Sequence, residues 1–503
     1  MNLMMLLEMA ANGFGDRTAI GPHQGGLTYQ QLFQAAGGAA DRLRKAQVQR
    51  VSMVGISSQA LPVALFGSAW AGLPFAPLNY RLTVPELRYL AAEVAPSVTV
   101  CDPDTQATIA DLDGVQTVLQ DDFFSEWAAA STPENDWNTD PDNIAILLFT
   151  SGTTGTPKAA VLRHKHLVSY IISSVEFMGA AEDEATLISV PPYHVAGIAA
   201  ILSAVYSGRR IVQLPNFDAA EWVYLVRTQN VTHAMVVPTM LARITDILEK
   251  DGAGLPSLRA LSYGGGKMPA TVIARALDLL PETGFVNAYG LTETSSSVAI
   301  LGPEEHREAH SSADPTVRAR LGSAGKPLPS IEVDIRDEEG KPLPAGQSGE
   351  IWVRGEQVSG EYLGRNSRVT SEGWFPTNDG GSVDAHGYLY VDGRIDDIIV
   401  RGGENISPGE IEDVLLAHPS VADAAAIGVP DEQWGEAVAA VVVPSSDHTV
   451  DIAELQDFVK AQMRSSRTPD LIHVRHELPY NETGKLLRRV LRDELADSRK
   501  RSS

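Results

Sequence analysis

The sequence predicts an α/β protein with at least two domains. Helical stretches alternate with short apolar runs from Thr28 to about Val100, and the alternation returns after Ile144. This pattern is typical of parallel sheets that are covered by helices on both faces. After Gly322 it changes to short segments separated by Gly, Pro and Asp. At 503 residues, the chain also exceeds what one hydrophobic core usually organises.

The first part of the chain should contain the helix-flanked sheets. Residues 1–11 are apolar but include Glu8 and lack a basic start, so they predict an amphipathic helix and not a signal peptide. A second helix is predicted over Tyr29–Lys45, ahead of an apolar run at 51–56. Short apolar runs of this kind indicate buried strands. Further strands are predicted at 144–149, 186–190, 210–214 and 233–237.

The second part of the chain should be antiparallel and then α+β. Residues 331–336, Gly349–Arg354 and 387–391 alternate apolar with polar side chains, which predicts an antiparallel barrel or meander. From Ser407 a compact helix, strand, strand, helix pattern begins, so we expect a boundary near 393–397. The predicted units are an N-terminal domain (1–394) that ends in a small antiparallel β-barrel (about 322–394), and a C-terminal α+β domain (395–503).

Charge and cysteine content exclude several classes of function. A net charge of −24 repels phosphate backbones and anionic lipid surfaces, so we expect no nucleic-acid partner. The single cysteine, Cys101, excludes an internal disulfide and a multi-cysteine metal site. No apolar run approaches the ~20 residues that span a bilayer. These observations predict a cytoplasmic protein without a transmembrane segment.

A glycine- and threonine-rich run follows the strand predicted at 144–149. Small hydroxyl residues and glycines let backbone N–H groups approach polyphosphate oxygens, and Lys158 can supply a cation. The run is not a P-loop, because Pro157 precedes the lysine and Ala159 follows it. It predicts a phosphate-binding loop made of Thr150, Ser151, Gly152, Thr153, Thr154, Gly155 and Lys158.

Other segments carry residue types that suit a nucleotide. Tyr289 with the following glycine can stack a purine against backbone, and the nearby Glu293 suits Mg²⁺, which prefers oxygen ligands. Asp379 can accept both ribose hydroxyls, and Arg394 offers several donors. Taken alone, the Tyr289 segment could equally be a structural Tyr-Gly turn, and Asp379 and Arg394 could equally be solvated turn residues. Lys485, on a turn near the chain end, is equally ambiguous alone.

Taken in order, these motifs resemble the class I adenylate-forming superfamily. That superfamily contains acyl-CoA synthetases, peptide-synthetase adenylation domains and firefly luciferase, and the resemblance spans nearly the whole chain. It implies an ATP-dependent enzyme that activates a carboxylic acid as acyl-AMP and transfers the acyl group to coenzyme A, releasing AMP and pyrophosphate. The implied cofactors are ATP and Mg²⁺, with coenzyme A as a substrate.

The resemblance also implies a role for each motif. Lys485 bridges the α-phosphate and the attacking carboxylate, and Asp396 is the hinge about which a mobile C-terminal domain rotates between half-reactions. Glu293 holds the metal, and Lys158 joins the catalytic residues. The nucleotide is bound by the run from Thr150 to Gly155 and by Gly264, Gly265, Gly266, Asn287, Ala288, Tyr289, Gly290, Thr292, Asp379 and Arg394. Coenzyme A passes along Arg401, Gly402 and Gly403.

The acyl site is expected around a proline-rich turn. Residues 191–197 resemble the family segment whose histidine borders the carboxylate, so His194 is predicted to act in catalysis, and a core histidine is the alternative. Tyr193, His194 and Gly197 form the predicted acyl pocket. Residues 198–205 are apolar and add no charge, which predicts a mostly hydrophobic monocarboxylate.

The sequence departs from the family at two places. Asn378 stands where the family has Gly before the aspartate Asp379, and Gly380 stands where the family has an apolar residue. Thr468 lies where related enzymes often have Tyr-Lys-x-Pro. The resemblance therefore does not predict the geometry of the turn that contacts the ribose, or the contacts with the nucleotide of coenzyme A. The alternatives are an acyl-AMP ligase or amino-acid adenylation domain that loads a carrier protein, a luciferase-like oxygenase, and a non-catalytic ATP-binding protein. A homodimer is compatible with the sequence.

Overall fold

The computed structural model describes residues 1–129, 136–150, 157–402, 404–431, 433–445, 448–480 and 486–502. Within these residues the strands pair into four sheets, two of which are the large, mostly parallel sheets predicted for the N-terminal part. The predicted α/β class is therefore confirmed, whereas the predicted small antiparallel β-barrel is an open four-stranded sheet in the described residues. The strands are β1 (Thr18–Ile20), β2 (Leu27–Thr28), β3 (Arg50–Val54), β4 (Phe75–Leu78), β5 (Ser97–Cys101), β6 (Val115–Leu119), β7 (Ile144–Thr150), β8 (Lys158–Arg163), β9 (Ala185–Ile188), β10 (Arg210–Gln213), β11 (His233–Val236), β12 (Ala260–Gly264), β13 (Gly284–Leu291), β14 (Ser296–Leu301), β15 (Lys326–Pro327), β16 (Glu332–Arg336), β17 (Gly349–Arg354), β18 (Phe375–Val383), β19 (Leu389–Arg394), β20 (Ile399–Arg401), β21 (Glu404–Ile406), β22 (Val421–Asp431), β23 (Gly435–Pro444) and β24 (Leu471–Val474).

The helices flank these sheets, and their ends follow local sequence signals. The helix predicted over Tyr29–Lys45 is found with those bounds, because Thr28 and Gln31 form a reciprocal capping box at its start. The helices are α1 (Met4–Phe14), α2 (Tyr29–Lys45), α3 (Ala60–Ala71), α4 (Val84–Glu93), α5 (Pro103–Ile109), α6 (Gln120–Asp122), α7 (His164–Ser174), α8 (Val195–Ser207), α9 (Ala219–Thr228), α10 (Pro238–Asp251), α11 (Ala270–Leu279), α12 (Pro303–Ser311), α13 (Pro315–Arg318), α14 (Pro408–Leu416), α15 (Ile452–Gln462) and α16 (Arg488–Ser502).

The two large sheets carry the N-terminal part. One has the strand order β6-β5-β3-β4-β7-β8, in which only the β7–β8 pair is antiparallel. The other has the order β15-β14-β13-β12-β11-β9-β10-β1-β2, with parallel pairing from β1 to β13 and antiparallel pairs at both ends. Their central strands are buried on both faces, which explains why these strands read as short apolar runs.

The antiparallel part forms a meander. Strands β16, β17, β18 and β19 pair consecutively, and β16 and β19 are the two edges of this sheet within the described residues. The last strand begins at Leu389 and not at Gly387 as predicted, since Gly387 has a φ of +84° and belongs to the preceding turn. The strand then runs to Arg394, directly before the predicted hinge.

The C-terminal part has its own hydrophobic clusters. Two clusters consist only of residues between Ile399 and Leu491, packed between the β20–β24 sheet and helices α14, α15 and α16. The limits at 394 and 395 stay a prediction. None of the helices in the described chain is long and apolar enough to cross a membrane. Cys101 is buried at the end of β5, and burial raises the pKa of its thiol to about 12, so it stays protonated and unreactive.

Candidate active site

Three predicted nucleotide residues, distant in sequence, meet at one place. Asp379 on β18 and Arg394 on β19 are direct cross-strand partners, and Arg394 Nε lies 3.0 Å from Asp379 Oδ1. The Tyr289 hydroxyl, from β13, donates a hydrogen bond to Asp379 Oδ2 at 2.7 Å. Arg394 also donates to the Thr377 carbonyl oxygen at 3.0 Å. The carboxylate of Asp379 is therefore held in a fixed orientation by two donors.

Electrostatics keep this cluster in one protonation state. Burial raises the pKa of Tyr289 well above its usual value, and the charge of Asp379 raises it further, so the phenol remains a donor. Burial lowers the pKa of Arg394, but the carboxylates of Asp379 and Glu293 outweigh this effect and raise it. Arg394 is thus a permanent cation between two carboxylates, in a position to interact with an anionic or hydroxylated ligand.

Glu293 lies on a short turn that follows β13. Its side chain accepts a hydrogen bond from the Tyr362 hydroxyl, and its carbonyl oxygen accepts from Ser359 N at 2.8 Å and Gly360 N at 3.2 Å. Sequence reasoning missed Tyr362. The sequence signal for Tyr362 was the glycine two residues before it, Gly360, and the glycine two residues after it, Gly364. An aromatic residue next to glycine was also the pattern that predicted Tyr289.

The residues present fit a Mg²⁺ ion that takes few protein ligands. In the described parts of the chain, no three His, Cys, Asp or Glu side chains converge as a metal cage. Mg²⁺ usually binds one or two carboxylates and completes its octahedron with water and substrate phosphates. Glu293 is a half-buried carboxylate whose orientation Tyr362 fixes, so it can serve as the single protein ligand of such an ion.

The loop predicted to bind phosphate joins β7 to β8. Ser151, Gly152, Thr153, Thr154 and Gly155 lie outside the described residues, whereas Thr150 and Lys158, at the two ends of the loop, are cross-strand partners.

The β8 strand after this loop is fixed to the Tyr362 segment. Leu363 N donates to Ala159 O at 2.9 Å, Val161 N donates to Glu361 O at 2.9 Å, and Arg163 pairs with the Glu361 carboxylate at 2.8 Å. The Glu361 partner of Arg163 was also missed from the sequence. Because Tyr362 bonds Glu293, this backbone pairing places the Lys158 end of the loop beside the Glu293 turn.

Two of the predicted nucleotide glycines are required by close backbone approach. A Cβ on Gly264 would lie 2.3 Å from the Ala288 carbonyl oxygen, and one on Gly290 would lie 1.9 Å from the Ser296 carbonyl oxygen. Asn287 donates through its side chain to Ser323 O at 2.8 Å. Gly265 and Gly266 follow β12, and Thr292 precedes Glu293 in its turn. The structure thus gives Gly264 and Gly290 a packing role, and their nucleotide role stays a prediction.

The predicted acyl residues lie at the start of α8. His194 immediately precedes the helix, and its ring centroid is 4.8 Å from that of Tyr193, which in turn contacts Tyr80 edge-on at 5.7 Å. Burial lowers the pKa of His194 to about 4, so the imidazole is neutral at physiological pH. A Cβ on Gly197 would lie 2.8 Å from the Pro191 carbonyl oxygen, which explains the glycine.

A cleft of about 650 Å³ joins this region to the C-terminal part. Tyr80 and Pro191 line it from one side, and residues 476–480 line it from the other. Residues 481–485, which include Lys485, lie outside the described chain, but Tyr480 and Leu486 on either side of them form a β-bridge. The segment that carries Lys485 therefore starts at the cleft that Pro191 lines. We call this arrangement the docked conformation.

The predicted hinge and coenzyme A residues lie at the start of the C-terminal part. Asp396 is exposed in a short turn between β19 and β20. Arg401 pairs with Asp470 at 2.8 Å, and Gly402, with a φ of +59°, donates to the Trp434 carbonyl oxygen at 2.7 Å. Gly403 lies outside the described residues. The bonds of Arg401 and Gly402 are thus with C-terminal residues, and their role toward coenzyme A stays a prediction.

Two helix-flanked sheets, a fixed Tyr–Asp–Arg cluster, and a separate cleft between the N-terminal and C-terminal parts are the features expected of an adenylate-forming enzyme. The chain belongs to the AMP-binding enzyme family: the model of the AMP-binding enzyme matches residues 7–363, and that of the AMP-binding enzyme C-terminal domain matches residues 410–485. It is an ATP-dependent, AMP-forming acid–thiol ligase of the acyl-CoA synthetase type.

Curated relatives match over nearly the whole chain. A feruloyl-CoA synthase from Amycolatopsis sp is 34% identical over 473 residues, which cover 93% of this chain and 93% of the relative. A 2-succinylbenzoate–CoA ligase from Bacillus licheniformis is 33% identical, with 96% and 98% covered. A fatty acid–[acyl-carrier-protein] ligase, ScoC, from Streptomyces coeruleorubidus is 31% identical, with 93% and 91% covered.

Solved structures share the same fold and show the cofactors. ATP-bound MatB from Rhodopseudomonas palustris superposes with a TM-score of 0.88 at 28% identity and covers 99% of both chains. An o-succinylbenzoate coenzyme A synthetase from Bacillus subtilis, solved with ATP and a magnesium ion, has a TM-score of 0.83 at 29% identity, with 96% of this chain and 98% of that chain covered. ATP and Mg²⁺ are the cofactors of this enzyme type.

Proposed function

We propose that this acyl-CoA synthetase acts on a mostly hydrophobic monocarboxylate, such as a fatty, branched or ring-bearing acid. The observation that carries the proposal is helix α8, which follows His194 and contains no charged residue over Val195–Ser207. The neutral imidazole at its start adds no fixed charge either. An apolar acyl group would gain from burial against this helix, whereas a second charge there would have to be desolvated without a partner.

In the proposed first half-reaction, the substrate carboxylate attacks the α-phosphorus of ATP and pyrophosphate leaves. Negative charge then grows on phosphate oxygens, and cations already in place stabilise it. Lys485 would meet the carboxylate and the α-phosphate, and Lys158 would follow the phosphate loop. Glu293 would hold Mg²⁺, which supplies further positive charge at the phosphates. Asp379 and Arg394 would orient the ribose.

In the proposed second half-reaction, the coenzyme A thiol attacks the acyl carbon of the mixed anhydride, the thiol proton is released, and AMP leaves. The C-terminal part would rotate about Asp396, withdraw Lys485 and bring Arg401, Gly402 and Gly403 to the site. This rotation would let one cavity serve both steps. The proposal places the enzyme in the cytoplasm and allows a homodimer.

A dicarboxylate is the second candidate substrate class. Arg81 and Arg243 are exposed and line the cleft near Pro191, so they offer positive charge to a second carboxylate at the cleft mouth. The 2-succinylbenzoate–CoA ligases among the relatives act, by their name, on an acid with both an aromatic ring and a second carboxylate. The two candidates differ in whether the acid carries a second carboxylate, which in the dicarboxylate would lie at the cleft mouth near Arg81 and Arg243.

An acid panel tests the proposal. We expect ATP–pyrophosphate exchange with fatty and aryl monocarboxylates to exceed that with acetate, malonate, succinylbenzoate and amino acids, because only the first group combines a large apolar part with no second charge beside the uncharged helix α8. Thioester should form when coenzyme A is added and not when only an acyl-carrier protein is added. The highest kcat/KM for a dicarboxylate or an amino acid would refute the substrate class. Transfer only to the carrier protein would assign the enzyme to the carrier-loading alternative.

A further inference from the structure

Asn378 has an unusual backbone conformation and a side-chain bond to the hinge. Its φ of +62° is in the left-handed region, which glycine and asparagine tolerate best. Its backbone N–H donates to Glu350 Oε1 at 3.0 Å, and this bond fixes the turn. The side-chain Nδ2 donates to Asp396 Oδ2, also at 3.0 Å. The residue at the predicted ribose turn therefore bonds directly to the residue at the predicted hinge.

A second contact joins the same two segments. Asp379, the residue after Asn378, pairs with Arg394, which lies two positions before Asp396. Gly380 lies close to the residues on both sides of Asp396 in sequence: a Cβ there would lie 3.5 Å from Ile398 Cδ1 and 3.9 Å from Ile395 Cγ1. The Asp379–Arg394 pair is inside the site, whereas the Asn378–Asp396 bond is at the surface, where it can open without exposing a buried charge.

We infer that Asn378 is a positioning residue that holds Asp396 and thereby favours the docked conformation, in which residues 476–480 and Pro191 line one cleft. The inference rests on the proposed two-step function. Rotation about Asp396 must change the backbone angles of that residue, so the direction of its side chain changes as well. The bond from Asn378 can then form in the docked conformation and is lost in the rotated one, and an interaction made in only one state shifts the population toward that state.

Glycine accepts the same φ but offers no side-chain donor. If Asn378 only served the turn, replacing it with Gly would leave the ratio of the two half-reaction rates unchanged. If it holds the hinge, the replacement would change the two half-reactions in opposite directions. The ratio of the two rates therefore separates a positioning role from a structural one.

The first test measures both half-reactions in Asn378→Gly and Asn378→Asp. Adenylation is followed by pyrophosphate exchange, and thioester formation is started from synthetic acyl-AMP and coenzyme A. We expect the ratio of thioester to adenylation rate to rise about fivefold in Asn378→Gly, the effect of one hydrogen bond. Asn378→Asp should raise it further, because its carboxylate repels that of Asp396. The double variant Asn378→Asp with Asp396→Asn restores a donor–acceptor pair and should return the ratio toward wild type.

A distance measurement tests the inference without reference to activity. Glu304→Cys on α12 and Lys460→Cys on α15 place two spin labels on exposed positions, and buried Cys101 stays unlabelled. Pulsed EPR should show one main distance for otherwise wild-type protein and a second population in Asn378→Asp, which the double variant suppresses. If the wild type makes neither adenylate nor thioester, the proposed function fails. An unchanged distance distribution, or equal slowing of both half-reactions without rescue, would overturn the role of Asn378.

Discussion

Lys485→Ala is expected to lose acyl-adenylate formation by about two to three orders of magnitude, the usual effect of removing one preorganised transition-state charge from a closed site. In the docked conformation the segment that leads to Lys485 starts at the cleft lined by Pro191. The lysine would therefore act only while the carboxylate meets the α-phosphate. Supplied with synthetic acyl-AMP and coenzyme A, the same variant should make thioester at a near-normal rate.

The matched control is Lys460→Ala, which removes an exposed lysine from α15 of the same C-terminal part. It should leave both rates within about twofold of wild type, since exposed surface substitutions have small effects. Equal loss of both half-reactions in Lys485→Ala would contradict the assigned role. Such a result would make Lys485 a constant part of the site or a residue needed for folding.

Glu293→Gln should weaken adenylation by about tenfold or more at limiting Mg²⁺, because a neutral amide is a poorer ligand for a hard cation than a carboxylate. The amide oxygen can still accept the Tyr362 hydrogen bond, so the turn should keep its shape. Excess Mg²⁺ should recover part of the activity. A Mg²⁺ titration of pyrophosphate exchange measures both effects, and circular dichroism checks the fold.

Glu304→Gln is the control for this variant. It makes the same chemical change on an exposed position in the first turn of α12. Its Mg²⁺ dependence should match that of wild type. If Glu293→Gln and Glu304→Gln gave the same curve, Glu293 would be only a partner of Tyr362 and the metal would have to bind elsewhere.

Much of the fold could be predicted because its signals are local. The Thr28–Gln31 capping box and the helical period gave α2 its bounds, and the short apolar run at 144–149 marked β7. The antiparallel region was recognised by its alternation, yet whether it closes into a barrel depends on pairing between its first and last strands. No local pattern contains that information, and the described strands form an open meander.

The site was predictable where the side chains themselves carry the chemistry. Tyr289, Asp379 and Arg394 were named as nucleotide residues on composition and resemblance, and the structure brings them together although Tyr289 and Asp379 lie 90 positions apart. Tyr362 and Glu361 were missed because their partners, Glu293 and Arg163, are 69 and 198 positions away. Such contacts exist only after folding, and one sequence offers no signal for the pairing.

The acyl region was the least predictable from sequence. A histidine after two prolines and a tyrosine could have been an ordinary core residue, and only the structure shows it half-buried at the start of an uncharged helix. The cleft there is lined by residues from both ends of the chain, such as Tyr80 and Tyr480. Its shape follows from how the C-terminal part docks, which depends on the hinge and not on any local pattern.

The rotation that links the two half-reactions is tested most directly by the rates of Asp396→Pro. Proline fixes φ near −65°, so the variant should keep the docked conformation and adenylate at a near-normal rate but lose thioester formation from synthetic acyl-AMP by orders of magnitude. Asp396→Ala, which removes the same side chain and leaves φ free, should form thioester at least as fast as wild type. Thioester formation by Asp396→Pro at the rate of Asp396→Ala would contradict a rotation about this residue.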